Sequence, residues 1–502
     1  MNKRIFFSGL YPLWTYHLVT ELNIIEKHLS EGDDVVLLTC HEAMQSCECN
    51  YEHQISECAR CIGIRDHGVS LLTRHVERVS FPRSEKMDRA ARSLLRDART
   101  ISDLKALTYD GINIGLALYS SLVDRFKNTS PALDEETRPI LNKITADALT
   151  SYACAAEYFG SHRCDTAYIF NGRYAASYAL VKAAEKNGVE CIIHERTGNL
   201  NKVFLFKECI PQDPRIYGRM SNEFWETPRN EEVYQQGVNF FEERPKGELT
   251  GWHGFIENQI EGSLPTDWDA HRDNIAVFAS SEGEVAAIAD FLEGITFPNQ
   301  LDVYDELFKV SATTLPNTLF YLKLHPNSKG ERNAWWESDR LKRHVNLKII
   351  LPEEALSSYA LLRACNKVIG LMSTICLEAT YWGKPSIVLS PAYYSGIDAV
   401  YECKSVDEAH ELLKDPDLPP KPKKNAIEFG AFMRCFGDDL PFSAAINYYN
   451  LSFKGEVLEP PLNVREWAAK CQSRPEAKGL TKWMRDIADR RRLNQLLCNS
   501  SD

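Results

Sequence analysis

The chain has 502 residues, of which 44% are hydrophobic and 25% charged, and its net charge is −12 at pH 7. This composition predicts a globular protein of two or three domains, and the acidic balance excludes a general nucleic-acid-binding role. No apolar run approaches the ~20 residues that cross a bilayer, and MNKRIFFSGLYPLW at the N-terminus lacks the apolar length and cleavage site of a signal peptide. We therefore expect a cytoplasmic protein whose fifteen cysteines are reduced.

Strand and helix patterns alternate from the start of the chain. KRIFFSGL (3–10) predicts a strand, HLVTELNIIEKHLSE (17–31) a helix ended by Gly32, and DVVLLTC (34–40) a second strand. Residues 86–160 predict mostly helix, and the β-α-β order then returns at DTAYIFNGR, YAASYALVKAAEKNG and VECIIHERT (165–197). This order implies parallel strands joined by right-handed crossovers.

Five of the cysteines lie in one short segment, TCHEAMQSCECNYEHQISECARC (39–61), which also contains two histidines. The spacing Cys58-x2-Cys61 is typical of metal ligands. A full set of thiolates would come from Cys40, Cys47, Cys58 and Cys61, with Cys49 as a substitute. Such a closed site would be structural, because catalytic zinc keeps an open position. The pattern therefore predicts a tetrahedral zinc that pins a long loop, with an iron–sulfur cluster or a set of free thiols as the alternatives.

Residues 198–270 lose clear periodicity and predict an irregular interdomain segment. A second alternation follows, with a helix over 284–293 and short apolar strands at IAVFAS (275–280), TLFYLKL (318–324), LKIILP (347–352), KVIGL (367–371) and PSIVLS (385–390). Continuous apolar strands are typical of a parallel sheet covered on both faces. After the proline-rich PDLPPKPKK (416–424), the remainder predicts helices. We therefore predict domains at 1–265 and 266–415, both doubly wound α/β, with a helical segment at 416–502.

Polar residues follow the strands of the second domain, in the loops ASSEGE (279–284), HPNSKG (325–330), LPEEALSSYALL (351–362) and GLMSTICLEATYWGKP (370–385). Because the carboxyl ends of parallel strands share one edge of a sheet, we expect these loops to converge on a ligand. The residues expected there are Ser280, Ser281, His325, Ser373, Thr374 and Glu378.

A nucleotide suits this set of residues. The helix that opens at Ser373 and Thr374 offers backbone N–H groups to phosphate. His325 can donate to a phosphate oxygen, while Pro326 turns the loop away. Glu378, one helical turn after Thr374, can accept a ribose hydroxyl pair. Taken singly, His325-Pro326 also fits a plain strand-end turn, and Ser373-Thr374 an ordinary N-cap.

KLHPN (323–327) with GLMSTICLEATYWGKPSIVL (370–389) resembles the donor-binding half of GT-B glycosyltransferases of bacterial capsule and lipopolysaccharide synthesis, which include Kdo transferases and sialyltransferases. FASSEGEVAAI (278–288) resembles the S-S-E-x-E segment of that group, and FNGRYAASYALVKAAEKNGVECIIHERT (170–197) resembles its N-G-R segment. The resemblance covers most of residues 1–395. It implies two Rossmann-like domains that face each other across a cleft, a nucleotide-sugar donor of the CMP, CDP, UDP or GDP type, and no required catalytic metal.

Applied residue by residue, the resemblance implies that His325, Ser373 and Thr374 bind the donor phosphates and that Glu378 binds the ribose. It places Ser280, Ser281 and Glu282 at the cleft. The chain departs from many relatives at Lys323, where they have an arginine before the His-Pro pair. The resembling group also often shows the C-x6-C and C-x2-C spacing, which supports a metal site at the cysteine segment.

An inverting transfer needs a general base, which in GT-B enzymes commonly comes from the first domain. Candidates are His17 and Glu21 after the first strand, Asp110 in YDGINIG, and Glu195 at a strand end. His17 also fits a capping or packing role, and Asp110 fits a plain turn. Two further polar residues follow a strand, Asn171 and Arg173. The guanidinium of Arg173 matches an anionic acceptor or a diphosphate, or forms a structural ion pair.

The sequence thus predicts a cytoplasmic GT-B glycosyltransferase that moves a sugar from a nucleotide donor to a capsule or lipopolysaccharide glycan. A polyol-phosphate transferase or a sugar-nucleotide epimerase of the same architecture, and a noncatalytic GT-B scaffold, are the alternatives. The basic stretch RDIADRRRL (485–493) would hold the protein near the anionic inner membrane, where a lipid-linked acceptor resides, or forms a solvated helix face.

Overall fold

The computed structural model describes residues 2–82, 84–207, 209–248, 251, 255–472 and 480–498. The strands of its first half are β1 (Arg4–Phe7), β2 (Asp34–Thr39), β3 (Glu77–Ser80), β4 (Thr108–Tyr109), β5 (Ile112–Asn113), β6 (Thr166–Phe170), β7 (Glu190–Arg196) and β8 (Lys202–Lys207). The helices are α1 (Thr15–Glu31), α2 (Ile55–Ser70), α3 (Glu85–Leu94), α4 (Ile101–Lys105), α5 (Gly115–Phe126), α6 (Thr137–Ser161), α7 (Ala175–Lys186), α8 (Pro214–Glu226) and α9 (Glu231–Glu243). A 3₁₀ turn, Arg244–Lys246, follows α9.

The strands of the second half are β9 (Asp273–Phe278), β10 (Thr318–Lys323), β11 (Leu347–Ile350), β12 (Lys367–Gly370), β13 (Ser386–Val388), β14 (Tyr401–Glu402), β15 (Asp438–Asp439), β16 (Ser443–Ala445), β17 (Leu451–Phe453) and β18 (Glu456–Val457). The helices are α10 (Glu282–Ala289), α11 (Gln300–Thr314), α12 (Asp339–Lys342), α13 (Ser358–Ala364), α14 (Ile375–Tyr381), α15 (Val406–Lys414), α16 (Lys423–Cys435), α17 (Leu462–Gln472) and α18 (Leu480–Cys498). Further 3₁₀ turns are Pro326–Ser328 and Trp335–Glu337.

Five parallel strands form the centre of the first sheet, in the spatial order β3-β2-β1-β6-β7. Counted along the chain this is 3-2-1-4-5, the doubly wound order of Rossmann-like domains. β8 pairs antiparallel with β7, and β15 with β8. The register places Phe6 beside Val36, and every residue of β6 is buried. β1, β2 and β6 are largely apolar and buried because helices cover both faces of the sheet, whereas the edge strand β3 is mostly exposed.

The second sheet is parallel throughout, in the order β11-β10-β9-β12-β13-β14. Counted along its own strands this is 3-2-1-4-5-6, again the Rossmann order. Every residue of β10, including Lys323, is buried. The predicted fold of two Rossmann-like domains is therefore confirmed by the strand orders. In each sheet the order of the strands reverses beside the first strand, between β1 and β6 and between β9 and β12. Ligands bind at such switch points.

The prediction of an irregular segment at 198–270 was wrong, because this stretch contains β8, α8 and α9. Side chains cap both helices at their start: Asp213 accepts from the Arg215 N–H, and Asn230 from the Val233 N–H. Helix α9 lies against α16, which is distant from it in sequence. At Gly237 an added Cβ would lie 2.1 Å from the Ile427 carbonyl oxygen. The two helices depend on a partner distant in sequence, which local periodicity does not reveal.

The prediction that 416–502 is a separate helical segment also needs correction. β15 joins the first sheet, and β16, β17 and β18 form a small antiparallel sheet. Leu451 and Phe453 pack in one cluster with Tyr16 and Leu22 of α1. The strands are two or three residues long and give no period-two signal, which is why the sequence pattern missed them. The basic stretch lies in α18, where Arg490 forms an ion pair with Glu42 of the first domain.

The predicted boundary at residue 265 is too late. The Ile260 N–H donates to the Ala355 carbonyl oxygen at 2.8 Å, and the Ser358 N–H donates to Gln259 at 2.7 Å. Residues from about Gln259 onward therefore belong to the second domain. Within the described part of the chain, no helix combines the length and the apolarity needed to cross a membrane.

Candidate functional site

A cavity of about 430 Å³ lies where the carboxyl edges of the two parallel sheets approach each other. The first domain and the helices that follow it contribute Asn171, Arg173, Gln212 and Arg244. The second domain contributes Ser280, Ser281, Glu284, His325, Asn327, Ser373, Thr374 and Tyr393. Phe255, Val285, Ile288, Met372 and Tyr448 complete the lining. Seven residues predicted from the sequence thus meet in one cavity, five from the second domain and two from the first.

His325 occupies the end of β10 and begins the 3₁₀ turn Pro326–Ser328. Its Nδ1 accepts a hydrogen bond from the Asn327 backbone N–H at 3.1 Å. A neutral imidazole that accepts at Nδ1 carries its proton on Nε2. Burial lowers the pKa of His325, and the nearby Glu284 opposes that shift. The His-Pro-Asn sequence therefore presents a neutral ring whose remaining nitrogen is a hydrogen-bond donor.

Ser280 and Ser281 hold the loop after β9 in place. Ser280 Oγ accepts from the Met372 N–H at 3.2 Å, which joins this loop to the loop after β12. Gln300 pairs with the Ser280 backbone through two bonds of 2.9 Å. Ser281 Oγ donates to Glu331 at 2.9 Å. Both hydroxyls line the cavity while shaping its wall.

Ser373 and Thr374 come directly before α14, as the sequence pattern predicted. Tyr394 fixes this start by donating its hydroxyl hydrogen to the Ser373 carbonyl oxygen at 2.6 Å. The N–H groups of Cys376, Leu377 and Glu378 donate to the carbonyl oxygens of Ser373 and Thr374, so any backbone donors for a ligand come from the N–H groups before Cys376. The loop thus brings backbone donors to the cavity wall beside His325.

Glu378 does not face the cavity as the expected ribose ligand. Its carboxylate forms an ion pair with Arg244, Nη2 to Oε1 3.0 Å, and accepts a hydrogen bond from the Tyr359 hydroxyl. Its side chain is 2% exposed. It borders a smaller cavity of about 90 Å³ together with Lys323, whose pKa burial lowers. Spacing along α14 predicted its helical face correctly, but not the arginine that lies against that face.

Glu282 is also displaced from its expected place. It begins α10 but is absent from the cavity lining, and the next carboxylate of the helix, Glu284, takes that position. Burial raises the pKa of Glu282 to about 7, and the neighbouring Glu331 adds to this rise.

Arg173 enters the cavity from the end of β6. Asn171 (φ 64°) and Gly172 (φ 75°) both take left-handed conformations, which turn the chain sharply after the strand. The Arg173 guanidinium donates to Ser120 at 2.9 Å and to the Tyr174 hydroxyl at 3.2 Å. Its Nη2 lies 3.9 Å from Asp124 Oδ1, which fits the structural ion pair, and the residue also lines the cavity.

None of the four candidate bases of the first domain lines the cavity. Glu195 comes nearest, since its carboxylate accepts from the Asn171 side chain at 3.1 Å. His17 is 8% exposed, its ring centroid lies 3.7 Å from that of Phe170, and burial lowers its pKa well below the usual range. Glu21 accepts from Ser8 at 3.1 Å inside the domain.

Asp110 lies far from the cavity, at the turn between β4 and β5. Its carboxylate accepts from Tyr152 and from Lys186, the last residue of α7. α7 begins beside Arg173 and has 12 residues, so its two ends are about 18 Å apart. The turn interpretation of Asp110 therefore fits the structure, and the catalytic one does not.

The sequence interpretation missed several lining residues. Glu284 and Asn327 belong to the loops singled out there, so their position on the sheet edge was a usable signal. Gln212, Arg244 and Phe255 come from the stretch read as irregular, and Tyr448 from the C-terminal segment. Their arrival at the cavity depends on long-range packing.

The five clustered cysteines Cys40, Cys47, Cys49, Cys58 and Cys61 line one cavity of about 20 Å³. Burial raises the pKa of Cys61 to about 12, and the neighbouring Cys40 thiol adds to this rise. Among the described residues, no three of these sulfurs lie within 4.8 Å of one another. Four thiolates around zinc at ~2.3 Å would be closer than this, whereas an iron–sulfur cluster is a larger group that four cysteines also hold.

No protein-family model matches the chain, and no curated protein does so either. Among solved structures, KpsC of Thermosulfurimonas dismutans, described as a beta Kdo 2,4 transferase, matches 53% of this chain and 79% of its own, with 13% identity and a TM-score of 0.39. The UDP-GlcNAc 2-epimerase of Neisseria meningitidis bound to UDP-GlcNAc matches 86% of this chain and 97% of its own, with 12% identity and a TM-score of 0.33.

Proposed function

We propose that the chain is a glycosyltransferase that moves a sugar from a nucleotide-sugar donor to a hydroxyl of a surface glycan. The observation that carries the proposal is the convergence of His325, Ser373, Thr374 and Arg173 on one cavity at the switch points of two Rossmann-like sheets. Its volume, about 430 Å³, lies within the ~300–1,000 Å³ typical of sites for small molecules and cofactors.

The charges around the cavity suit a donor with one or two phosphates. Arg173 supplies a guanidinium group, which matches phosphate geometry, whereas the Arg244 guanidinium is already paired with Glu378. The Nε2–H of His325 and the backbone N–H groups at Ser373 and Thr374 would supply neutral donors on the opposite side. When the bond between the anomeric carbon and the phosphate oxygen breaks, the departing nucleotide gains negative charge. Preorganised donors stabilise that charge, commonly the largest single contribution to catalysis.

The second domain would hold the donor and the first domain would receive the acceptor. Asn171 and Arg173 lie on the first-domain side, and Arg173 suits an acidic sugar or lipid phosphate. We assign the acceptor to the capsule or lipopolysaccharide class on the resemblance of the His-Pro and Ser-Thr loops alone. A lipid-linked acceptor would bring the protein to the inner face of the cytoplasmic membrane.

We also propose that the cysteine cavity holds a structural metal group. Four of its five thiols would be ligands, either to zinc or to an iron–sulfur cluster. The group would fix the loop over 40–61. This loop contacts α5, because Tyr51 donates to Asp124, and Ser121 donates to Glu48 at 2.9 Å. Helix α5 in turn supports Arg173 through Ser120.

A thermal-shift screen tests the donor assignment. CMP, CDP, UDP, GDP and their sugars are added to the wild type, and a ligand that binds only the folded state raises the Tm. One nucleotide class should give a shift, and His325→Ala should abolish it. Product analysis with the positive donor follows: free or transferred sugar supports a transferase, whereas an isomerised nucleotide sugar indicates an epimerase. No shift with any nucleotide, or an unchanged shift in His325→Ala, would contradict the proposal.

A further inference from the structure

The proposed transfer needs a proton acceptor, and the expected candidates of the first domain lie off the cavity. Of the described residues that line the cavity, Glu284 alone carries a carboxylate. Glu378 is neutralised by Arg244, and Glu282 lies outside the lining. Glu331, which contacts the same loop, accepts a hydrogen bond from Ser281.

Asn327 connects Glu284 to His325. The Asn327 side-chain amide donates to Glu284 Oε1 at 2.8 Å, and its backbone N–H donates to His325 Nδ1 at 3.1 Å. One residue therefore orients both groups. Glu284 Oε2 has no hydrogen-bond partner within the described ranges, and the side chain is exposed to the cavity. This oxygen is thus available to accept a proton.

His325 is unsuited to the same task. Its Nδ1 already accepts a hydrogen bond, and its Nε2 carries the proton of the neutral ring. It acts as a donor toward the leaving phosphate. Glu284 lines the same cavity as Arg173 of the first domain and Tyr393 of the second. The carboxylate therefore belongs to a cavity that both domains line.

We propose that Glu284 is the general base of the transfer, an inference that rests on the proposed function. The acceptor O–H bond breaks and its proton passes to Glu284 Oε2. The acceptor oxygen forms a bond to the anomeric carbon, and the bond from that carbon to the phosphate oxygen breaks with its electron pair left on the nucleotide. Asn327 is a positioning residue for this step. A single displacement of this kind inverts the anomeric configuration.

The test compares Glu284→Gln with the wild type, using the donor identified by thermal shift. A positioned general base contributes ~10²–10⁴-fold, so the kcat of Glu284→Gln should fall about 100-fold or more, while the donor-induced Tm shift stays unchanged. Glu306→Gln, which removes one charge from an exposed position of α11, is the matched control and should keep full activity.

A second measurement is independent of folding differences. Glu284→Ala leaves space for a small carboxylate, and added formate should restore part of its activity within the same protein sample. A kcat of Glu284→Gln within threefold of wild type, loss of its donor-induced shift, or no formate rescue would overturn the assignment while leaving the transferase intact. A wild type that turns over no nucleotide sugar would overturn both.

Discussion

Arg244 and Glu378 form an ion pair that is almost fully enclosed, with side chains 5% and 2% exposed and a separation of 3.0 Å. Arg244 follows α9, and Glu378 lies on α14, whose start borders the cavity of about 430 Å³. The pair therefore fixes the helix that presents Ser373 and Thr374. It also explains why Glu378 is not available to a ribose.

Breaking this pair should destabilise the protein strongly. Removing one partner leaves an uncompensated buried charge, which costs ~3–5 kcal/mol. Glu378→Gln should therefore lower the free energy of unfolding by about 3 kcal/mol, measured by urea denaturation. Replacing both residues with methionine should recover most of this loss. Asp302→Asn, which breaks the exposed pair with Arg340, is the control and should change stability by less than ~1 kcal/mol. A similar small effect of Glu378→Gln would contradict the account.

Asn327 should matter for turnover more than for donor binding. Asn327→Ala removes the side-chain bond to Glu284 but keeps the backbone N–H that fixes the His325 tautomer. We expect kcat to fall about tenfold with an unchanged donor-induced Tm shift. Asp110→Asn, at the far end of α7, should leave kcat unaltered. Equal losses in both variants would show that Asn327 has no specific role.

The cysteine cavity predicts a bound metal group. Purified protein should contain about one metal site per chain by elemental analysis, with visible absorption if that site is an iron–sulfur cluster. Cys58→Ser should lose the metal and lower the Tm, because metal binding contributes to folding free energy. Cys498→Ser changes an exposed thiol at the end of α18 and should do neither. Protein that contains neither zinc nor iron would remove this proposal.

Asp305 should make the stability of the folded protein depend on pH in the acidic range. Burial raises its pKa, but hydrogen bonds from His344, Arg340 and Arg343 outweigh this and hold the pKa at about 2. A carboxyl with a lowered folded pKa stabilises the protein above its unfolded pKa of ~3.9, and that stability is lost as pH falls toward 2. Asp305→Asn should cost about 2 kcal/mol at pH 6. The Tm difference from wild type should shrink between pH 4 and pH 2, and a constant difference would contradict this assignment.

The sequence predicted the second-domain loops well, because parallel strands place their carboxyl ends on one edge. His325, Ser280 and Ser373 line one cavity for that reason. Asn171 and Arg173 reach the same cavity because they follow a parallel strand of the first domain. Arg244 and Tyr448 escaped prediction because their positions depend on how α9, α16 and the C-terminal strands return to the body of the protein.

The candidates for a general base show what the position of a residue in the sequence does not reveal. His17 and Glu195 lie near the correct edge of the first sheet, yet their side chains are directed into packing and hydrogen bonds within that domain. Asp110 belongs to a hairpin whose place relative to α7 no local pattern reveals. Glu284 belongs to one of the loops predicted to converge on a ligand, but only the three-dimensional path of α10 shows that Glu284, and not Glu282, lines the cavity.

The most direct test of the central claim is a crystal structure with the nucleotide identified by thermal shift. The account predicts a phosphate oxygen within about 3.2 Å of His325 Nε2, with the rest of the nucleotide in the cavity bordered by Ser373 and Thr374. A nucleotide bound elsewhere, or in this cavity with its phosphates directed away from His325, would contradict it.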